Sequence, residues 1–241
     1  MTDAELCAHL ATQAGRLLYD LQISGRFTGK ALGDEGDTRA NAYLCEALRR
    51  ERPGDALLSE EEQDCTDRCD VDRVWIVDPL DGTREYSEGR SDWAVHVALS
   101  VGGVAKAGAV ALPAMNMTLR SDNPLALAVA NHPPRMVVSR TRPAAEAIAV
   151  AEILSAELVP MGSAGAKAMA VVRGEADVYL HTGGQYEWDN CAPVAVAQAA
   201  GLHCSRIDGS PMHYNARNPY LPDLLICRTE LVPSIMAALK A

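Results

Sequence analysis

Trp75-Ile76-Val77-Asp78-Pro79-Leu80-Asp81-Gly82-Thr83-Arg84-Glu85 begins as an apolar, β-branched run and ends in acids, a glycine and a hydroxyl. Val74 to Val77 has the composition of a buried strand, which Asp78-Pro79 ends. Beyond it Asp78 and Asp81 fall on one tight turn, and Gly82 allows the backbone to approach a ligand closely. Carboxylates bunched in this way repel each other unless a cation sits among them. Oxygen donors select hard cations, and Mg²⁺ takes one or two carboxylates together with substrate phosphate oxygens. Asp and Gly are also ordinary turn residues, so taken alone the stretch equally fits a turn with no chemistry. An EF-hand is excluded, because the Asp-x-Asp-x-Asp-Gly rhythm of ligands is absent.

Upstream of this stretch, Thr2 with Glu5 forms a capping-box signature, and Leu6, Leu10, Leu17 and Leu21 follow on one helical face. From Ser24 to Gly36 glycines and polar residues predict a loop, which feeds a helix through Leu44 and Leu48 that stops at Pro53-Gly54. Ala56 to Ser59 reads as a strand running into Glu60-Glu61-Glu62. Downstream, Ala94 to Val101 and Ala107 to Leu112 predict antiparallel strands around a Gly102-Gly103 turn. Ser121 to Pro134, with Asn123-Pro124 and Pro133-Pro134, is the seam, dividing an N-terminal half (1–133) from a C-terminal half (134–241). After it the pattern gives a strand at 136–138, helices at 143–158 and 166–172, and a strand at 178–180. A further helix has Asp189 as its N-cap and Gly201 at its end. The fold class is α+β, mixed α and β in stacked layers.

The chain has 241 residues, 48% hydrophobic and 22% charged, which suits one compact unit or two small lobes sharing a core. Its 32 acidic and 22 basic residues give a formal charge of −10, which repels nucleic-acid phosphates and anionic lipid. No nucleic acid polymer and no membrane is therefore expected as a partner. An anionic substrate would need a bound cation or well-placed basic residues to overcome that field. Asp3 and Glu5 precede any basic residue, and no apolar run reaches the ~18 to 20 residues of a membrane span, so a cytoplasmic protein is expected. The seven cysteines are scattered and never spaced as CxxC, which indicates neither a disulfide framework nor a zinc cage. His9 and His96 lie inside apolar patterns and read as ordinary half-buried residues. Gly25 to Ala31 is a poor P-loop, one residue short and with Ala31 where Ser or Thr is required.

Two further acidic sites flank the opening stretch: Ser59-Glu60-Glu61 at a strand end, and Trp188-Asp189-Asn190-Cys191-Ala192 at a helix start. An acidic pair, a DP(I/L)DG(S/T) loop and a WDxxA helix start, in that order, resemble the lithium-sensitive, magnesium-dependent phosphatase superfamily from about Lys30 to Cys227. Asp81-Gly-Thr-Arg-Glu-Tyr86 is similar to the DGTKEF wording of its CysQ-type 3'(2'),5'-bisphosphate nucleotidases rather than the DGTTNF of inositol monophosphatases. Gly209 to Asn215 also looks nucleotidase-like.

The resemblance implies a five-layer αβαβα sandwich and Mg²⁺-dependent removal of the 3'-phosphate of adenosine 3',5'-bisphosphate, a by-product of sulfate activation. Inositol monophosphate and fructose 1,6-bisphosphate are the alternative substrates, since the metal centre is common to all. Two or more Mg²⁺ ions are implied, one held by Glu60, Asp78 and the Leu80 carbonyl, another by Asp78, Asp81 and Asp189. Glu60 and Thr83 are the candidates to orient the attacking water, and lithium inhibition is expected at the second metal position. Backbone amides of Gly82 and Thr83, and the helix start at Asp189, are candidate phosphate contacts. Gly162-Ser163-Ala-Gly-Ala-Lys167 resembles the segment whose serine and lysine meet the second phosphate, although Lys167 also fits a solvated helix face. Arg84 is placed on the nucleotide side. A homodimer is one assembly the family allows. The sequence departs at Asp37-Thr38-Arg39-Ala40-Asn41, where the superfamily writes T-x-A-D and this chain has Asn41, which takes up no proton. Asp37 or Asp34, both placed in the predicted loop, or Glu60 alone, could supply the missing carboxylate.

Overall fold

Helix α1 (Asp3–Ile23) starts as the sequence predicts: the Thr2 hydroxyl accepts from Glu5 N and the Glu5 carboxylate accepts from Thr2 N. The structure, a computed structural model, describes residues 1–240. The predicted loop at 24–36 is corrected, because helix α2 runs Gly29–Glu51 and carries Lys30, Asp34, Asp37 and Asn41. Its glycines are there for contact rather than for bending. A Cβ on Gly33 would stand 2.5 Å from Ser87 Oγ and 2.9 Å from Thr83 Cγ2, and one on Gly36 would stand 2.9 Å from the Tyr86 ring. The helix can therefore lie directly against the acidic segment, and the glycine content that reads as a loop is the condition for that approach.

The first sheet has strands β1 (Ala56–Ser59), β2 (Arg73–Asp81), β3 (Ala94–Val101), β4 (Val104–Leu112) and β5 (Met117–Arg120) in sequence order. β1 pairs parallel to β2 and the rest are antiparallel. Gly102 and Gly103, both at positive φ, make the expected hairpin turn between β3 and β4. A short helix, α3 (Thr83–Ser87), follows β2. Behind it Tyr86 and Trp93 are fully buried edge to face at 4.9 Å, and the Tyr86 hydroxyl donates to Leu18 O at 2.7 Å. That pair adds about 0.5–1.5 kcal/mol beyond its buried area and fixes the acidic segment to α1.

The second sheet contains β6 (Arg135–Ser139), β7 (Glu157–Met161), β8 (Val178–Tyr186), β9 (His203–Ser205) and β10 (Tyr220–Cys227), ordered β7-β6-β8-β10-β9. The helix predicted over 143–158 divides here: α4 (Ala145–Leu154) ends at Ser155 in the left-handed region, and β7 follows. Helices α5 (Ala164–Val172), α6 (Glu187–Ala199) and α7 (Val232–Ala238) complete the chain.

Three cores show the stacking. α1 and α2 cover one face of the first sheet through Leu6, Leu18, Leu44 and Trp75. α5 and α6 fill the space between the sheets, where Ile76, Val110, Met169, Val194 and Ile226 share one cluster. α4 and α7 cover the outer face of the second sheet around Val138, Val150, Leu225 and Ile235. The layers read αβαβα, as expected, and the middle core takes residues from both sides of Pro133. No described helix is long and apolar enough to cross a membrane.

Candidate metal and phosphate site

β2 does not end in a tight turn at Asp78. It continues to Asp81, and its register against β3 shifts between them: Asp78 faces His96, and Asp81 faces Ala94. Three steps on β2 thus meet two on β3, which is a bulge. Side chains three apart on a regular strand point to opposite faces, so the extra residue is what brings both carboxylates to one side. Pro79 lies in the bulge, where a missing amide hydrogen costs no ladder bond. Gly82 then adopts φ +91° and starts α3.

Asp78 is 1% exposed, and its carboxylate accepts from Leu80 N at 3.0 Å. Asp81, 6% exposed, is clasped by the start of α5: it accepts from Ala164 N at 3.0 Å, from Gly165 N at 2.6 Å, and from the Ser163 hydroxyl. Ser163 holds this clasp at φ +50°, a conformation costly for a residue with a Cβ and concentrated at functional sites. Asp189 is the third residue of α6 rather than the predicted N-cap, since the helix begins at Glu187; one of its oxygens accepts from Tyr186 N at 2.6 Å.

One oxygen from each of Asp78, Asp81 and Asp189 lies within 4.8 Å of the others. Burial raises the Asp78 pKa well above the carboxylate range, and Glu60, Asp81 and Asp189 raise it further. Burial, then Asp81, pushes Asp189 to about 6. Glu60 has an exposed edge but a carboxyl turned onto Asp78, and desolvation, followed by Asp189, pushes it up to about 8. Asp81 behaves differently: burial raises it, but His96, the Ser163 hydroxyl and Lys167 outweigh that and hold it at about 2. Acids forced toward their neutral forms by one another, with oxygens turned to a common point, are a donor set that fits hard cations.

The other predicted residues divide. The Leu80 carbonyl accepts from the Thr83 hydroxyl at 3.1 Å, which places it beside the cluster. Gly82, Thr83, Arg84, Ser163, Lys167, Asp81 and Asp189 line one open pocket of about 310 Å³. A larger cleft of about 590 Å³ between α1 and β4–β5 contains none of them. Lys167 is not on a solvated face: it is 5% exposed, its ammonium donates to the carbonyls of Gly162 and Ser163, and it lies 5.4 Å from the Tyr179 ring centre. It braces the Ser163 segment from below.

Asp37 faces Thr83, whose hydroxyl donates to the Leu80 carbonyl, and burial, followed by Glu61 and Asp34, pushes its pKa up to about 7. Asn41 is elsewhere, its carbonyl accepting from the Ser59 hydroxyl at 2.7 Å and from Cys45 Sγ. Asp34 pairs with Lys30 on the exposed side of α2. One turn earlier on the same helix, Asp37, one of the candidates for the missing carboxylate, stands beside the loop threonine. His96 differs from the half-buried residue that its apolar setting predicts: it is fully buried, and its Nε2 faces Asp81 at 3.2 Å. An isolated histidine opposite Asp78 in the strand register was the only signal available.

Residues 28–239 match the inositol monophosphatase family. The chain belongs to that family. Among relatives of this inositol monophosphatase family chain, the 3'-phosphoadenosine 5'-phosphate phosphatase of Mycobacterium leprae (strain TN) is 51% identical, covering 100% of this chain and 94% of that protein. The 3'(2'),5'-bisphosphate nucleotidase CysQ of Escherichia coli K12 is 30% identical over 77% of this chain and 80% of its own length. The crystal structure of CysQ from Bacteroides thetaiotaomicron superposes with a TM-score of 0.81 at 23% identity, covering 94% of this chain and 97% of that one, which shows the shared fold.

A pH effect follows for metal-free protein. Glu60, Asp37 and Asp189, pushed to about 8, 7 and 6, all bind protons more tightly folded than unfolded. Raised groups add stability that is complete below their unfolded pKa and is lost as pH rises through the folded value. Asp81, held at about 2, acts in the opposite sense only in acid below that window. Melting in EDTA is expected at a higher temperature at about pH 5.5 than at about pH 8.5, with added Mg²⁺ stabilising most at the alkaline end. A melting temperature that climbs with pH in EDTA would contradict this electrostatic picture.

Proposed function

We propose that this chain is a metal-dependent phosphatase that removes the 3'-phosphate of adenosine 3',5'-bisphosphate to give AMP and phosphate. The observation that carries the substrate is the 51% identity, over the whole chain, to a phosphatase named for that nucleotide. The pocket is consistent with it. Acids form one wall, and on the rest Arg84 and Arg142 have no acidic partner among the described residues. Arg140, by contrast, is engaged by Glu85 at 2.8 Å and Glu88 at 2.6 Å. His181 on the same wall is pushed down to about 4 by burial, then by Lys167 and Arg142, which marks the positive field there. A substrate with two phosphates suits a site with cations at one end and free guanidinium groups at the other.

Glu60, Asp78 and the Leu80 carbonyl would hold one Mg²⁺, and Asp78, Asp81 and Asp189 a second. Bound there, the cations supply charge neutralisation at the phosphoryl group and acidify water. Asp37, poised near neutrality beside Thr83, would take up the water's proton once the Thr83 hydroxyl turns from the Leu80 carbonyl toward it, and that hydroxyl would orient the attacking water. Ser163 holds Asp81, while Arg84 and Arg142 receive the nucleotide side. The seven cysteines are all free thiols, which supports a reducing compartment and so the cytoplasm.

The test is phosphate release with Mg²⁺ on adenosine 3',5'-bisphosphate, its 2'-phosphate isomer, inositol 1-phosphate and fructose 1,6-bisphosphate. The 3',5'-nucleotide is expected to lead the two sugar phosphates in kcat/KM by tenfold or more, about 1.4 kcal/mol. Equal or better turnover of inositol 1-phosphate would leave the metal centre intact and overturn the substrate.

A further inference from the structure

His96 belongs to β3, yet it touches two other elements that each carry an acid of the cluster. Its Nδ1 lies 2.9 Å from the carbonyl of Trp188, one residue before Asp189 on α6. A carbonyl only accepts, so Nδ1 carries a hydrogen. The opposite edge of the ring then presents Nε2 to Asp81 Oδ2 at 3.2 Å, a contact that lacks the alignment of a hydrogen bond. The ring is fully buried, and a Cβ on Gly165 would stand 2.0 Å from Nε2, so α5 passes it only as glycine. The remaining holds on the two acids are separate: Asp81 is bound to α5, and Asp189 to the backbone at the start of its own helix.

We propose that His96 is a positioning residue, a rigid strut between Asp81 and the α6 backbone that sets the gap between Asp81 and Asp189 and thereby the affinity of the cation they share. This rests on the assignment of those two acids to one cation. Like charges at this spacing drift apart unless something fixed spans them. An imidazole is suited to this because it has no internal torsion between its two nitrogens. The side chain acts through Asp81 and Asp189 and touches no reacting atom.

Mn²⁺ binding to metal-free protein, followed by electron paramagnetic resonance without substrate, tests the strut directly. His96→Asn keeps a donor near Trp188 O but withdraws from Asp81; His96→Gln reaches toward Asp81 but leaves Trp188 O. Both are expected to weaken the second class of Mn²⁺ about tenfold, about 1.4 kcal/mol, and to leave the first class unchanged. In turnover, the Mg²⁺ concentration for half-activation rises while the substrate KM at saturating Mg²⁺ does not. Unchanged second-class affinity in either folded variant, against two classes in the wild type, overturns the strut alone. A wild type that binds a single class, or an Asp81→Asn variant that binds both as before, overturns the shared-cation assignment and the strut with it.

Discussion

Asp78→Asn is expected to lower kcat/KM by about 10³-fold or more, about 4 kcal/mol of transition-state stabilisation, and at the same time to raise the melting temperature of metal-free protein. Both effects have one cause. Asp78 is 1% exposed and has Glu60, Asp81 and Asp189 as charged neighbours, so without cations its charge is disfavoured by burial and by all three. Asparagine removes that charge and keeps the oxygen that accepts from Leu80 N, so the bulge of β2 survives. With cations the balance should reverse, because Asp78 is proposed to serve both metal positions and an amide offers only a neutral oxygen where a carboxylate offers negative ones. Melting curves with EDTA and with Mg²⁺ should therefore cross: the variant melts above wild type in EDTA and below it in Mg²⁺. A variant that melts lower in both conditions would mean that Asp78 is a structural turn residue, the alternative left open by its Asp-Pro-Leu-Asp-Gly setting.

The acids were legible for the same reason that they are costly. Asp78 and Asp81 end a β-branched run and Asp189 opens a helix, and their residue types and order carried the family resemblance that picked them out. The mixed α and β layering followed from alternating helix and strand patterns with short connections, and the five-layer αβαβα order from the family resemblance. What failed was everything that depends on close approach. Gly33 and Gly36 have the composition of a loop, and only the positions of Thr83, Ser87 and Tyr86 show that they are contact residues in a helix. The bulge at Pro79 cannot be counted without the partner strand, because its effect is a difference of one residue between two registers. Lys167 and His96 lie in an apolar helix and an apolar strand, and the sequence does not show where their polar ends turn: Lys167 folds back onto the Gly162 and Ser163 carbonyls at the start of its own helix, and His96 reaches Trp188 O on α6. The same limit accounts for Asn41. The family pattern writes an aspartate where this chain has Asn41, and of the candidate replacements α2 brings Asp37, one turn earlier, beside Thr83.

Exchanging those two positions separates them. Asp37→Asn is expected to lower kcat by about 10²- to 10⁴-fold, the usual range for removing a general base, with a much smaller change in KM. Asn41→Asp is expected to leave kcat/KM within about twofold, as for a change of ~0.5 kcal/mol away from special features. The reason lies in what each side chain touches. Asp37 lies beside Thr83, and burial with Glu61 and Asp34 brings its pKa to about 7, where it exchanges a proton readily at physiological pH. The Asn41 carbonyl serves Ser59 and Cys45, tying α2 to β1, and an aspartate oxygen accepts from both equally well. Thr83 supplies the control. If Asp37 acts through the threonine hydroxyl, the two residues work as one unit, and Asp37→Asn combined with Thr83→Val should cost little more than the worse single change. Losses that multiply would show two independent roles, and an Asp37→Asn enzyme of full activity would return the proton to Glu60, the remaining acid at the water's position.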